Sequence, residues 1–218
     1  PLPAALRQAK CYRGPVAELG SDAMIIDTKL NDGTPVCIRE VRKDDEQRLK
    51  DGIAELSPQS RYLRFFSGMR EPPQGVVNAL VTVDGHDHIA WGAIRTDLPE
   101  LPALGVVHAF RDKDDPASAE YSVAVIDAYH GRGLASLLTA VLMLDCRREG
   151  LDHLLVHILP ENTPALTLAR SLGARYRDLE GGVMRFDIAI DEALAALRNE
   201  SGVPGLADVF AQFEGGAA

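Results

Sequence analysis

Apolar and polar positions change period several times along the chain, and each change predicts an element. Val36 to Val41 is strand-like, and Ala23–Thr28 offers a shorter strand ahead of the turn signal Asn31-Asp32-Gly33. Asp44 followed by Gln47 reads as a capping box, and Leu49, Ile53 and Leu56 give the helix behind it a buried stripe. Ser57-Pro58 ends that helix and starts a second, from Gln59 to about Phe66. Beyond the Pro72-Pro73 break come strands at Ile89–Arg95, Gly105–Phe110 and Glu120–Val125, separated by the polar turns Asp97-Leu98-Pro99 and Asp112 to Pro116. Leu134, Leu137, Leu138, Val141 and Leu142 recur at helical spacing, predicting a long helix from Gly133 to about Glu149, ended by Gly150. A strand His153–Leu159, a helix Asn162–Leu172 closed by Gly173, and strands Ala174–Asp178 and Val183–Ile190 complete the series.

This order joins an antiparallel meander to a strand–helix–strand unit, so the fold class is α/β, with α+β an equally fair label. Residues 35–199 read as one domain, 1–34 as an N-terminal extension and 200–218 as a flexible C-terminal tail. Within the tail only Leu206 to Phe213 has amphipathic spacing.

Composition narrows the function. The 218 residues carry 32 acidic and 23 basic side chains, a net charge of −9, which repels phosphate backbones and argues against a nucleic-acid partner. No apolar run approaches the ~18 residues that cross a bilayer, and the start has no basic-then-apolar layout. No membrane partner and a cytoplasmic address are therefore expected. The 3 cysteines, Cys11, Cys37 and Cys146, are far apart with no C-x-x-C, which predicts buried thiols rather than a disulfide framework or a zinc site. No metal site is expected; His86-Asp87-His88 lies in a turn without a third ligand in view, and no G-x-S-x-G elbow is present.

The chemistry concentrates where strand Glu120–Val125 meets the long helix. Between them stands His130-Gly131-Arg132-Gly133-Leu134-Ala135. Small residues at 131, 133 and 135 let a phosphate approach the backbone, and the unpaired N–H groups of the helix start carry partial positive charge. Together they make an anion site that needs no basic surface, to which Arg132 adds one charge-assisted contact. A tight turn before a helix is the plain alternative.

These residues resemble the GNAT superfamily of acetyltransferases, whose coenzyme A loop reads Gln/Arg-x-x-Gly-x-Gly/Ala. His130 departs from the first position, while Gly133 and Ala135 match. Glu161-Asn162-Thr163-Pro164-Ala165 and Ser171-Leu172-Gly173-Ala174 are similar to a second motif of the family, and the resemblance spans roughly Val36 to Ala189. A narrower resemblance is to bacterial Pat-type protein lysine acetyltransferase domains. It rests on Leu56-Ser57-Pro58-Gln59-Ser60-Arg61-Tyr62-Leu63-Arg64-Phe65-Phe66, on Ala119-Glu120-Tyr121-Ser122-Val123 and on Glu161-Asn162.

The resemblance implies a GNAT-like, mostly antiparallel mixed sheet flanked by helices, with acetyl-CoA as cosubstrate. It assigns Val123 and Val125 to the pantetheine arm, and His130, Gly131, Arg132, Gly133, Leu134 and Ala135 to the pyrophosphate. Asn162 becomes a further coenzyme contact, although Asn162 followed by Pro164 is also a good helix N-terminus by itself. Arg61, Arg64, Phe65 and Phe66 fall where the family builds one wall of the acceptor site.

Glu120 is the general-base candidate. Strand alternation puts Glu120, Ser122 and Ala124 on one face, and a carboxylate among small residues suggests an open cleft. A lysine ammonium, with an ordinary pKa of about 10.4, must lose a proton before it attacks a thioester. A solvated strand-face charge is the competing reading, and the Pat-like match favours the base. The tyrosine that many family members use as general acid has Ala169 in its place, with Tyr129 a weak substitute.

The expected partner is an amine acceptor, above all a protein lysine. A small amine, or a non-catalytic acyl-CoA-sensing module, is the alternative. Oligomeric state is not visible in the sequence, and a homodimer through sheet edges would be unsurprising.

Overall fold

The computed structural model describes residues 24–66 and 71–215. Cys11, residues 1–23 of the anticipated extension and 216–218 of the anticipated tail lie outside them.

Strands β1 (Ile25–Lys29) and β2 (Pro35–Glu40) form a hairpin, and Gly33 in its turn takes φ 85°. Three helices follow, α1 (Glu46–Glu55), α2 (Pro58–Phe65) and α3 (Gln74–Val81). A meander of β3 (His88–Arg95), β4 (Ala103–Arg111) and β5 (Ser118–Val125) leads into the long helix α4 (Leu134–Arg148). After it come β6 (His153–Ile158), α5 (Thr163–Ser171), β7 (Arg175–Glu180), β8 (Val183–Ala189), α6 (Ile190–Arg198) and α7 (Leu206–Gly215).

The strands form one 8-stranded sheet in the order β1-β2-β3-β4-β5-β6-β8-β7. Every neighbouring pair is antiparallel except β5 with β6, which α4 connects as a crossover. The mostly antiparallel mixed sheet expected from the sequence is therefore the one that forms. On one face Trp91, Val107, Ala109 and Tyr121 pack against Leu134, Leu137, Leu138, Val141 and Leu142 of α4, with α6 and α7 closing the layer. On the other, Val41 and Ala90 meet Leu49, Ile53, Val77, Leu80 and Val81 of α1 and α3.

Four sequence expectations change. Lys43–Asp45 is a 3-10 turn, so the N-cap of α1 is Asp45, not Asp44. The Asp45 carboxylate accepts two bonds of 2.7 Å from Arg39 and one of 3.0 Å from the Arg42 N–H, and Gln47 bonds Asp51 instead of closing a capping box. Helix α3 was not anticipated, because Pro72-Pro73, Gly75 and β-branched Val76 and Val77 have poor helix propensity; burial of Val77, Leu80 and Val81 overrides it. Helix α6 was not anticipated either, although Ile190, Ala193, Leu194 and Leu197, all buried, stand at i, i+3, i+4 and i+7. Last, Cys37 is buried and disulfide-bonded, so only Cys146 is the buried thiol expected of both.

The described ends of the chain join the fold. Strand β1 is an edge of the sheet, and α7 buries Leu206, Val209, Phe210 and Phe213 in the main core.

Candidate active site

The site begins where the sheet divides. Strand β5 pairs with β6 only from Ser118↔His153 to Tyr121↔Val156, while its pairing with β4 runs on to Gly105↔Val125. The stretch Ser122–Val125 thus keeps a strand on one edge and faces a gap on the other. Ile126 N–H donates to Leu104 O at 2.9 Å, and antiparallel alternation then turns the N–H groups of Val123 and Val125 away from β4, into the gap. The Val125 carbonyl accepts from the His130 ring at 2.8 Å.

At the open end of the gap a 3-10 turn, Asp127–Tyr129, leads into the glycine loop. Gly131 and Gly133 take φ of 71° and 84°, the left-handed region where a side chain is strained, and Gly133 is the N-cap of α4. His130 N–H is bonded to Asp127 O at 3.1 Å, so it is not among the free donors. The N–H groups from Gly131 to Ser136 have no backbone acceptor among the described residues, and they crown a 15-residue helix.

Other chain segments hold this loop. Asn31 N–H donates to Arg132 O at 3.1 Å and Asn31 Nδ2 to Gly202 O at 2.8 Å. Arg132 pairs with Asp32 at 2.5 Å and lies 5.0 Å over the Tyr129 ring, whose hydroxyl accepts from Arg95 at 3.0 Å. The guanidinium expected to face an anion is thus committed to Asp32, and Tyr129 is committed to Arg95. Asp127 accepts from the N–H and hydroxyl of Ser57, at 3.0 and 2.8 Å, and from the Ser60 hydroxyl at 2.7 Å. Burial alone would raise its pKa, but these bonds hold it at about 2 and tie the start of α2 to the loop.

Glu120 lies further along β5, on the face opposite α4. Its side chain is 64% exposed and its carboxylate is 3.7 Å from His157 Nδ1 on β6. Arg64 of α2 reaches this face and donates to Ser122 Oγ at 2.7 Å. Towards β7 the surface is polar, with Asp187 holding His153 at 2.9 Å and Arg177 at 2.7 Å, and Arg185 paired with Asp178 at 2.5 Å. Tyr121 points the other way. Its hydroxyl bonds Thr139 Oγ1 at 2.7 Å, and burial pushes its pKa up.

Asn162 caps α5, accepting from Ala165 N–H at 3.2 Å, and Ala169 on that helix is buried. His86 and His88 part company: the first bonds Glu149, the second turns into the core. Among the described residues no three metal-ligating side chains gather, and no helix is long and apolar enough to cross a membrane.

The structure thus brings Val123, Val125 and residues 131–135 to one continuous backbone surface, with Glu120 on the same strand and Asn162 on a separate helix. His157, the Asn31–Asp32 clamp and Asp127 are the neighbours that local sequence patterns do not announce. Only strand pairing and long-range packing place them here.

The family model described as acetyltransferase (GNAT) family matches residues 44–174. Acetyltransferase Pat of Mycolicibacterium smegmatis is 27% identical over 153 residues, which cover 70% of this chain and 45% of that protein. An acetyltransferase of Pseudomonas aeruginosa is 30% identical over 121 residues, 56% of this chain and 64% of that protein. The chain therefore spans 45% and 64% of the length of these two curated relatives. The solved structure of the GNAT domain of S. lividans PAT aligns with a TM-score of 0.69 at 26% identity, covering 76% of this chain and 96% of that domain.

Proposed function

Because this chain belongs to the acetyltransferase (GNAT) family, we propose that it transfers the acetyl group of acetyl-CoA to a primary amine, foremost a protein lysine, with Glu120 as general base. The observation that carries this reading is the divided edge of β5, which ends at Tyr121 and opens the Val123 and Val125 amides beside the free donors of Gly131 to Ser136.

These residues fit the coenzyme. The N–H groups at the start of α4 are donors for the pyrophosphate, and Val123 and Val125 offer strand-like backbone bonds to the pantetheine arm. Bound acetyl-CoA supplies an activated thioester carbonyl. Val123 N–H, turned away from β4, is the donor suited to the negative charge that develops on the carbonyl oxygen. Glu120 takes a proton from the incoming ammonium, directly or through one water. The amine nitrogen bonds to the acetyl carbon, the carbon–sulfur bond breaks, and the amine's second proton balances the departing thiolate. A thiol of ordinary pKa ~8.5 leaves without an acid at the position of Ala169.

Openness supports a protein acceptor. Glu120 is 64% exposed on a polar strand surface instead of lying at the bottom of a closed pocket, as a small amine would require. Its neighbours there carry both signs of charge, which suits a peptide more than a polyamine.

Glu120→Gln is the test. It should lower kcat for acetylation of a lysine peptide by about 10²- to 10⁴-fold, with calorimetric affinity for acetyl-CoA unchanged. Wild-type turnover in the variant would remove Glu120 from the mechanism. Binding without turnover on any amine by the intact protein would instead favour a sensing module.

A further inference from the structure

On the face that carries Glu120, a row of polar side chains continues inward under α2. Strand pairing sets His108 of β4 opposite Ser122, and Phe110 opposite Glu120, so all four leave the sheet on the same side. On β3, His88 stands opposite Phe110 and its ring stacks on it, with centroids 3.9 Å apart. His88 Nδ1 is 2.7 Å from the Thr82 carbonyl oxygen, to which it must donate. In a neutral ring its Nε2 is then an acceptor, so the 3.0 Å contact with His108 uses the His108 Nδ1–H. This assignment leaves His108 with a bare Nε2 lone pair. That atom is buried, in a residue 1% exposed, and has no partner among the described residues. Burial, and next the nearby Arg64 charge, hold His108 well below the ordinary imidazole range, so it is neutral.

Arg64 lies over this row. Besides its bond to Ser122, its guanidinium sits 4.9 Å over the Phe65 ring, and its Nε is buried without an acceptor. Burial lowers its pKa to about 10, opposed by the attraction of Glu120, so it stays cationic at neutral pH. The groups facing the acceptor end are therefore neutral His88 and His108 from β3 and β4, Glu120 from β5, His157 from β6, and one fixed cation from α2.

A carboxylate by itself is a poor neighbour for a lysine that must lose a proton, because it stabilises the ammonium. A cation at the same place has the opposite effect, and a charge within ~4–6 Å moves such a pKa by about 1–3 units. We propose that Arg64 is the positioning residue of the acceptor end, with the buried His108 ring near it: its guanidinium steadies Ser122 and the Glu120 carboxylate and offsets the carboxylate's attraction for an ammonium, so that the acceptor nitrogen gives up its proton. This inference rests on Glu120 being the base.

The experiment compares Arg64→Gln, Arg64→Lys, His108→Phe and Glu120→Gln, following lysine-peptide kinetics from about pH 6.5 to about 9.5, where the free amine becomes abundant. Calorimetric affinity for acetyl-CoA serves as the check on folding. Arg64→Gln should keep that affinity, lose about tenfold or more in kcat near neutral pH, the worth of one pKa unit, and recover as pH rises. Arg64→Lys should restore most of the loss, and His108→Phe should reproduce the pH shift in reduced size. A loss independent of pH, a lysine variant no better than the glutamine one, or an unchanged profile in His108→Phe would overturn the inference. Glu120→Gln separates the two levels. If it abolishes turnover while Arg64→Gln behaves as wild type, only the inference fails; if it stays fully active, the base reading fails first.

Discussion

At the scale of single residues, the donors the loop can offer depend on which atoms are already committed. Arg132 is paired with Asp32, and His130 spends its own N–H on Asp127 and its ring on Val125. The proposed anion site is accordingly made of backbone. Gly133 is constrained from two directions, because a Cβ there would meet Asn31 Oδ1 at 2.8 Å and Val203 Cγ1 at 2.9 Å, and its φ is positive. A substitution at Gly133 would therefore damage the fold as well as the site. Ala135→Glu is the cleaner change, since an acidic side chain in the first turn of a helix suits its dipole while repelling a phosphate. A second residue, Asp145, supplies a pH prediction. Its carboxylate accepts from Trp91 Nε1 at 2.9 Å, and burial pushes its pKa from an ordinary 3.8 up to about 6. Between those values the folded protein keeps a proton that the unfolded chain releases, so this contribution to stability falls as pH rises through that window. Asp145→Asn keeps an acceptor for Trp91 and removes the charge. In denaturant titrations at neutral pH it should stabilise the protein by about 1–3 kcal/mol, with the gain vanishing towards pH 4; a gain of equal size at both pH values would contradict the assignment.

At the scale of elements, α2 and α7 differ from what their sequences suggest in isolation. Helix α2 starts at Ser57, which caps it by accepting from Ser60 N–H at 3.1 Å, as Ser57-Pro58 announces. Its attachment to the glycine loop through Asp127 is a tertiary fact, and it makes one unit of α2 and that loop, the proposed acceptor wall and anion site. Helix α7 has an amphipathic pattern, but its apolar stripe becomes informative only when its partner is known. Phe213 lies 6.1 Å from the Trp91 ring, with Arg148 stacked 4.3 Å above it and bonded to its carbonyl oxygen at 2.8 Å. Phe213→Ala should lower unfolding free energy by about 3–5 kcal/mol and red-shift the emission of Trp91, the 1 tryptophan of the chain. A cost below about 1 kcal/mol, the range of surface changes, would mean that α7 adds little to the core.

At the scale of the whole molecule, the division of the sheet is the feature that the proposed acetyl transfer needs. Free backbone donors at Val123, Val125 and 131–136 should be shielded when acetyl-CoA binds, and those of β3 and β4, already paired, should not change. Hydrogen-exchange mass spectrometry with and without acetyl-CoA checks this: slowing confined to β5 and the start of α4, and absent in Ala135→Glu, is expected. Uniform slowing, or none, would place the coenzyme elsewhere. The sequence by itself determined most of the elements, because apolar period, Ser57-Pro58, Gly133, Gly150 and the Asn162 cap are local devices whose energetics do not depend on distant partners. It also determined the loop, since small residues before a helix start act through their own backbone, and it put Glu120 on the face opposite Tyr121 by alternation. Only the tertiary structure decided the rest. Propensity argued against α3 until α1 gave its valines a surface to cover. Arg132 read as a free cation until the β1–β2 turn brought Asp32 to it. Where β5 parts from β6, what lies beside Glu120, and which tautomer His108 holds depend on pairings between segments remote in the chain, and no local pattern encodes a contact whose energy arises only once both partners are in place.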